Sequence, residues 1–538
     1  MRSKRRRKLL MAGLFLMVPV MTACASMKDP KRLVIEVLTS VAGLSDDPTL
    51  PDFFLPGTDV DISVSGLDDA IMALNQVKGY YGFENAADVL SEGSVQDTEL
   101  FTVYRFPEVY KGLNVIGHVV NVIVDHEGGI LYFSGNYIDI KDLPVEPTIS
   151  AETAIENRGI DSGDLGEYEA ELCVWSSGGI TSLVWKISYE SGAYYLSASD
   201  GSLVNWFDVV FHYDETSLTD VNLMLTGQNP EDGPLCVSAV FDETDQNYYM
   251  IDRDKKIYVY ENVLDSSEQY FLDSDLLVRS DSEDAMRPSA VDALYNFGRV
   301  FCFYDDVLSR YSFDNVGETR ILIGLDTANN DRGDSFQYNA CASADLDENR
   351  VYVYIGTVDM DILYDNAYYL SVCAHEYTHA IQEYVLGDVY YSAQGNSLNE
   401  GIADIMGVLC CADYNNGNMD WKMRHGLGAI RDLESPKGDC ISTYKEYHDW
   451  LDSHDASTLI SHTAYLMTKH DRYPITDYQT LASLWYHALY FMDPFSGFAD
   501  CRAAVEQVAK IMIENGEMTK NQYRSVWDAF ETTGIPER

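Results

Sequence analysis

The segment Ala374-His375-Glu376-Tyr377-Thr378-His379-Ala380 constrains this chain more than any other. On a helix, two histidines four residues apart stand one turn above each other, where neutral imidazoles can grip one divalent cation. Zinc suits such ligands, and a carboxylate from a following helix completes a three-ligand set that keeps a fourth position open. Glu400, in Asn399-Glu400-Gly401-Ile402-Ala403-Asp404, is the candidate third ligand. Glu376, next to the first histidine, cannot point along the same line as both rings and suits a general base. Asp404, one turn after Glu400, can accept the free N–H of a ligand histidine and fix its tautomer. The bland alternative is an amphipathic helix with two solvated histidines; the properly spaced Asn-Glu-x-x-x-Asp weighs against it.

At 538 residues, with 46% hydrophobic and 23% charged, the chain has the make-up of folded protein in three or four units. Eighty-six acidic against thirty-seven basic residues give a formal charge of −49. Such a surface repels phosphate backbones and anionic lipid, so nucleic acid is excluded as a partner. The acidity otherwise implies a solvated surface and says little about substrate.

Residues 1–23 read as an export signal: a basic start through Lys8, then an apolar run from Leu9 to Val20 that is short for a bilayer span. Met21-Thr22-Ala23-Cys24 resembles the lipobox of bacterial lipoproteins, with Met21 in place of the usual leucine. That resemblance implies lipidation at Cys24, a membrane anchor and a tether over 24–50; a plain signal peptide and an uncleaved anchor are the alternatives. Nine further cysteines at irregular spacing, without a Cys-x-x-Cys pair, read as mostly buried thiols. Cys373, two residues before His375, fits a helix-core thiol better than a role at the metal.

Phe101 to Ile138 alternates apolar and polar residues, with turn signals at Glu127-Gly128-Gly129 and Ser134-Gly135-Asn136, and reads as antiparallel strands. The stretch 101–125 resembles the fungalysin/thermolysin propeptide, which implies a propeptide over 51–145. Residues 150 to 210, a short helix then strands, resemble the PepSY module, placed at 146–215. Beyond 215 come tyrosine-rich strands, a helix opening just after Pro288, and strands around Tyr338-Asn339-Ala340 and Val351 to Gly356, where an edge could hold an extended peptide. From 366 the pattern is mostly helical.

From about 240 onward the chain resembles the thermolysin-like neutral metalloproteases, through Ala290-Val291-Asp292-Ala293, the His375–Ala380 and Leu398–Asp404 blocks, and the closing Phe498–Val508 and Ala529-Phe530. The implied fold class is α+β: a β-rich lobe (216–365), a central metal helix and a mainly helical lobe (366–538), preceded by an α+β propeptide. The resemblance implies an endopeptidase cutting on the amino side of hydrophobic residues, with peptide substrates, its own propeptide as inhibitor, and a monomeric state. It implies zinc on His375, His379 and Glu400, with Asp404 behind His375 and Asn399 near His379. Glu376 is then the base, His454 and Tyr391 donate to the oxyanion, and Asp449 orients His454. Arg431 holds a substrate carbonyl, Asn339 and Ala340 the substrate backbone, and Val372 and Ile430 line the specificity pocket.

Plain alternatives stand beside these roles. Tyr391 is one of thirty-eight tyrosines, His448 and His462 rival His454, and Arg431 also fits a surface ion pair. The family's paired-calcium carboxylates fall here on Ser371 and Cys411, so that double site is expected to be lost while other calcium sites stay open. The contrasting function is a catalytically inactive zinc-binding surface lipoprotein; an unrelated hydrolase sharing only the metal helix is a further one. With the lipid at the head of the propeptide, self-cleavage between 210 and 235 would leave the anchor behind and release the protease.

Overall fold

The computed structural model describes residues 62–538 apart from 136, 161–164, 166–167, 178–179, 190–191, 211–216, 263–271, 274–276, 284, 318, 328–339, 346–349, 358–364, 387–391 and 426–427. The leader, Cys24, the 24–50 tether, Asn339 and Tyr391 lie outside the described residues.

The N-terminal region opens with helix α1 (Leu67–Gln76), which buries Ala70, Ala73 and Leu74. Strands β1 (Ser94–Asp97), β2 (Thr102–Tyr110), β3 (Leu113–Val124) and β4 (Ile130–Gly135) follow as antiparallel neighbours. Glu127 and Gly129 turn as expected, their amides donating to Asp125. Gly135, expected in a turn, instead closes β4 opposite Val120. Its φ of +96° and the Val119 carbonyl 2.2 Å from where a Cβ would sit leave room only for glycine. Helix α2 (Ala151–Arg158) is capped by Ser150, whose hydroxyl accepts from the Thr153 amide. Strands β5 (Tyr168–Ser177), β6 (Ile180–Tyr189), β7 (Gly192–Ser197) and β8 (Leu203–Val210) follow. The stretches expected as separate modules share one sheet: the early part of β3 pairs in parallel with β5 at Val115–Val174 and Ile116–Trp175.

The next lobe is β-rich. Strand β9 (Leu218–Thr226) pairs with β10 (Pro234–Asp242) at nine register positions, and β11 (Asn247–Tyr249) extends that sheet. Short β12 (Ile251–Asp252) leads to β13 (Ile257–Asn262), while β14 (Leu272–Asp273) joins the edge of the N-terminal sheet beside β8 and β15 (Arg279–Ser280) pairs with β11. Helix α3 (Pro288–Leu308) begins at its proline, which needs no amide partner in a first turn. It packs under a second sheet ordered β12-β13-β16-β18-β17, with β16 (Arg320–Thr327), β17 (Ala340–Asp345) and β18 (Arg350–Thr357). β17 forms one edge of it.

Helices dominate the rest: α4 (Leu370–Leu386), α5 (Ala393–Asp413), α6 (Ser453–Thr468), α7 (Tyr478–Ala488), α8 (Phe498–Asn515) and α9 (Lys520–Thr533). A hairpin of β19 (Lys422–His425) and β20 (Gly428–Asp432) interrupts them. No described helix is long and apolar enough to cross a membrane. Cys173, Cys373, Cys410 and Cys501 are buried, whereas Cys236 is exposed.

One core runs through α3 to α9 and also takes in Leu100, Phe101, Val103, Ile123 and Tyr132 of the N-terminal sheet. Phe101 meets His487, Tyr490 and Phe491 edge-on at 5.3–5.5 Å. Arg105 lies 4.8 Å from the Tyr384 ring near the end of α4, and Gln96 donates to the Tyr490 hydroxyl at 2.7 Å.

Candidate metal centre

α4 buries nearly every side chain, including Cys373, Tyr377, Ile381 and Val385. Thr378, β-branched in mid-helix, is anchored: its hydroxyl donates to the Ala374 carbonyl and lies 2.8 Å from the Tyr304 hydroxyl. α5 starts at Ser392, whose hydroxyl accepts from the Gly395 amide, and Gln382 of α4 donates to the Asn399 carbonyl at 2.8 Å. These ties fix the two helices in register.

That register brings His375, His379 and Glu400 together, one donor atom from each lying within 4.8 Å of the others. The two Nε2 atoms are 3.0 Å apart, and Glu400 oxygens stand 3.3 Å from His375 and 3.7 Å from His379. All three residues are largely removed from water. Two imidazole lone pairs and a carboxylate converging on one point form a donor set that fits zinc.

Burial and neighbouring charges act on each of these groups differently. Burial disfavours a charged His375 ring, but hydrogen bonds to Asp404 and Glu400 and their charges outweigh it and push the ring up to about 10. His379 goes the other way, down to about 4, chiefly by burial. Glu400 is held well below the usual carboxylate range: burial alone would raise it, but His379, His454 and His375 prevail. Glu376, also buried, is pushed up to about 7 by desolvation.

Behind the donors, Asp404 is fully buried with an oxygen 3.0 Å from His375 Nδ1. Arg431 of β20 grips the same carboxylate with two nitrogens, at 2.7 and 2.5 Å. Its guanidinium is therefore a brace on Asp404. The Asn399 side chain favours the charged His379 ring, against the larger effect of burial. His454 opens α6 and reaches the site, with Nε2 3.4 Å from Glu400.

The partner expected for His454 needs correction. Asp452, not Asp449, holds the ring: its Oδ1 is 3.0 Å from His454 Nδ1 and also accepts the His454 amide. The helix start explains this, since Asp452 is the N-cap of α6 and its carboxylate already points at the first turn. Asp449 instead acts on the Tyr447 phenol, which burial and that carboxylate raise. Asp452 was findable from an aspartate just before a helical run. Of the rival histidines, His462 lies 2.8 Å from the Leu433 carbonyl and His448 stacks on Trp450.

Among the residues expected to meet substrate, Ala340 begins an edge strand opposite Ile355, and Val372 is buried on α4. Ile430 lies in β20, where only its backbone is described. Ser371 is buried and Cys411 half-buried, burial pushing the Cys411 thiol up to about 12.

Two family models match adjoining stretches: the thermolysin metallopeptidase catalytic domain over residues 233–383 and the thermolysin metallopeptidase alpha-helical domain over residues 387–535. Together they span more than half of the chain. Neutral protease B of Bacillus subtilis (strain 168) is 25% identical over 478 residues, covering 81% of this chain and 82% of its own. Thermolysin of Alicyclobacillus acidocaldarius subsp. acidocaldarius is 25% identical over 485 residues, covering 81% and 83%. A solved precursor of protealysin from Serratia proteamaculans aligns with a TM-score of 0.40 at 18% identity, over 52% of this chain and 87% of its own.

Proposed function

Given that the chain belongs to the thermolysin metallopeptidase family, we propose that it is a zinc metalloendopeptidase cutting on the amino side of hydrophobic residues. The observation that carries this function is the convergence of His375, His379 and Glu400 within 4.8 Å beside a buried Glu376. Zinc held by those three residues would supply a Lewis acid for the scissile carbonyl and the attacking water.

The chain's own groups account for the proton movements. Glu376, whose carboxyl burial raises to about 7, takes a proton from the attacking water and delivers it to the leaving nitrogen. His454, held by Asp452, donates from Nε2 to the developing oxyanion, a contribution of about 2.7–4 kcal/mol for such donors. Asp404 and Arg431 keep the His375 tautomer and ring plane fixed. By family resemblance, Tyr391 joins the oxyanion donors, Asn339, Ala340 and Arg431 bind substrate backbone, and Val372 and Ile430 line the pocket.

Residues 51–215 act as propeptide and inhibitor in this proposal, and Cys24 carries a lipid that holds the precursor at a membrane. The test compares residues 25–538 with a Glu376→Gln copy, measuring bound zinc and cleavage of peptides containing a bond to leucine. The expected result is one zinc in each and cleavage by the parent alone. Zinc in both without cleavage by either would favour the inactive binding protein, and no zinc in either would remove the metal centre.

A further inference from the structure

β17 ends its sheet on one side, so one row of its backbone groups points away from β18. In an antiparallel pair, alternate residues turn their N–H and C=O away from the partner strand. The Ala344 amide belongs to that outward row, because it donates to the Glu383 carboxylate of α4 at 3.0 Å. Ala344 lies opposite Val351, Ala342 opposite Val353 and Ala340 opposite Ile355. Ala342 and Ala340 therefore share its parity and also face outward.

Glu383 sets where this row lies. It follows His375 and His379 at four-residue intervals, so all three stand on one face of α4. Its half-buried carboxylate ties the outward edge of β17 to the helix face that carries the metal ligands. Glu383 stands in the last turn of α4, so a strand packed along that helix runs back from Ala344 toward the histidines. Glu383 to His375 is about 12 Å of helix rise, and Ala344 to Ala340 about 13 Å of strand. Ala342 and Ala340 come level with the metal ligands, and an extended peptide added to this edge passes beside them. The same bond ends the edge. A peptide continuing past Ala342 would next offer a carbonyl to the Ala344 amide, which is already taken, and would set that carbonyl against a carboxylate oxygen. Two acceptors facing each other repel.

We infer that Glu383 is a specificity-determining residue: by occupying the Ala344 amide it limits strand pairing with a peptide substrate to Ala340 and Ala342. This rests on the peptidase function proposed above. The test uses zinc-loaded, matured enzyme as parent, Glu383→Ala and Glu383→Gln, matched for bound zinc. The substrates are long peptides with one cleavable bond to leucine, N-methylated in turn at each backbone amide other than the scissile one. In the parent, two alternate positions are expected to lose about 3- to 10-fold in kcat/KM on N-methylation, through KM and not kcat. Glu383→Ala frees the Ala344 amide and should add a third sensitive position two residues further along. Glu383→Gln still offers an acceptor oxygen and should keep the parent pattern. Any other number of sensitive positions in the parent overturns the assignment, and that count needs no variant should Glu383→Ala not fold. An unchanged pattern in Glu383→Ala, or a uniform loss on every peptide, overturns it too. Failure of all three proteins to cut any peptide while holding zinc overturns the peptidase function itself, and this assignment with it.

Discussion

Glu376 and Glu400 are both buried carboxylates coupled to the same imidazoles, and they are driven in opposite directions. Burial dominates Glu376 and lifts it to about 7, whereas three histidines hold Glu400 well below its ordinary range despite burial. Carboxylates split in this way divide the work, one moving protons and one staying charged as a ligand. A general base must be ionised, so kcat/KM should fall as pH drops through the Glu376 pKa. A bound cation lowers that value, so the acid limb should lie at or below about 7 in the pH–rate profile. Glu376→Gln should lose about 10²–10⁴-fold and show no such limb. At His454 the two aspartates separate cleanly: Asp452→Asn should cost up to about tenfold in kcat with little change in KM, and Asp449→Asn much less. Equal losses from both would return the orienting role to Asp449. The histidines and Glu400 were legible because metal ligands on helices obey fixed spacings, whereas the choice between Asp449 and Asp452 depends on where α6 begins.

Among the elements, the helices could be read closely and the short strands could not. Pro288 marks the start of α3 by its own chemistry, and the four-residue spacing of His375 and His379 marks α4. The β19–β20 hairpin was hidden because its few residues carry no clear alternation, although it delivers Arg431 to Asp404. α5 and α6 approach closely at Gly401, where an added Cβ would lie 2.9 Å from the Ser457 carbonyl and 3.0 Å from Ile460. Gly401→Ala should therefore cost about 1–3 kcal/mol, read as a lower melting temperature, and weaken zinc retention because Glu400 is its neighbour. Another element-level prediction concerns β2 and β3, where Glu108 and His118 are buried 3.7 Å apart. Burial lifts Glu108 to about 9 and lowers His118 to about 4. For Glu108 the folded pKa exceeds the unfolded one, so its contribution is full below about 4.5 and lost as pH rises toward 9. For His118 the contribution is present above about 6.5 and lost as pH falls toward 4. Glu108→Gln should thus flatten the alkaline decline in melting temperature and leave the acid side in place.

At the scale of the whole molecule, the division into a strand-rich beginning and a helical end was readable from composition and pattern. The docking of one on the other was not, because Phe101, Arg105 and Tyr132 look like ordinary strand residues until Tyr384, Tyr490 and Phe491 are placed opposite them. The same packing narrows where a self-maturing precursor can be cut. The expected window of 210 to 235 includes β9, yet β9 is tied by its pairing to the strands that follow it. It pairs with β10 at nine positions, buries Leu223 and Leu225 in the core shared with α3, and is followed by Gln228. The Gln228 amide donates to Asp292 of α3 at 2.8 Å and its side chain to Ser289 and Asp365. Cutting inside 219–235 would free one side of that ladder and strip partners from two buried carboxylates, both raised chiefly by burial. The N-terminus of the matured protein should therefore fall at or before Leu218. N-terminal sequencing of the products from zinc-loaded 25–538 checks this, with the Glu376→Gln copy as the uncut control. A stable, active product beginning within 219–235 would show that β9 is dispensable and that the lobe closes without it.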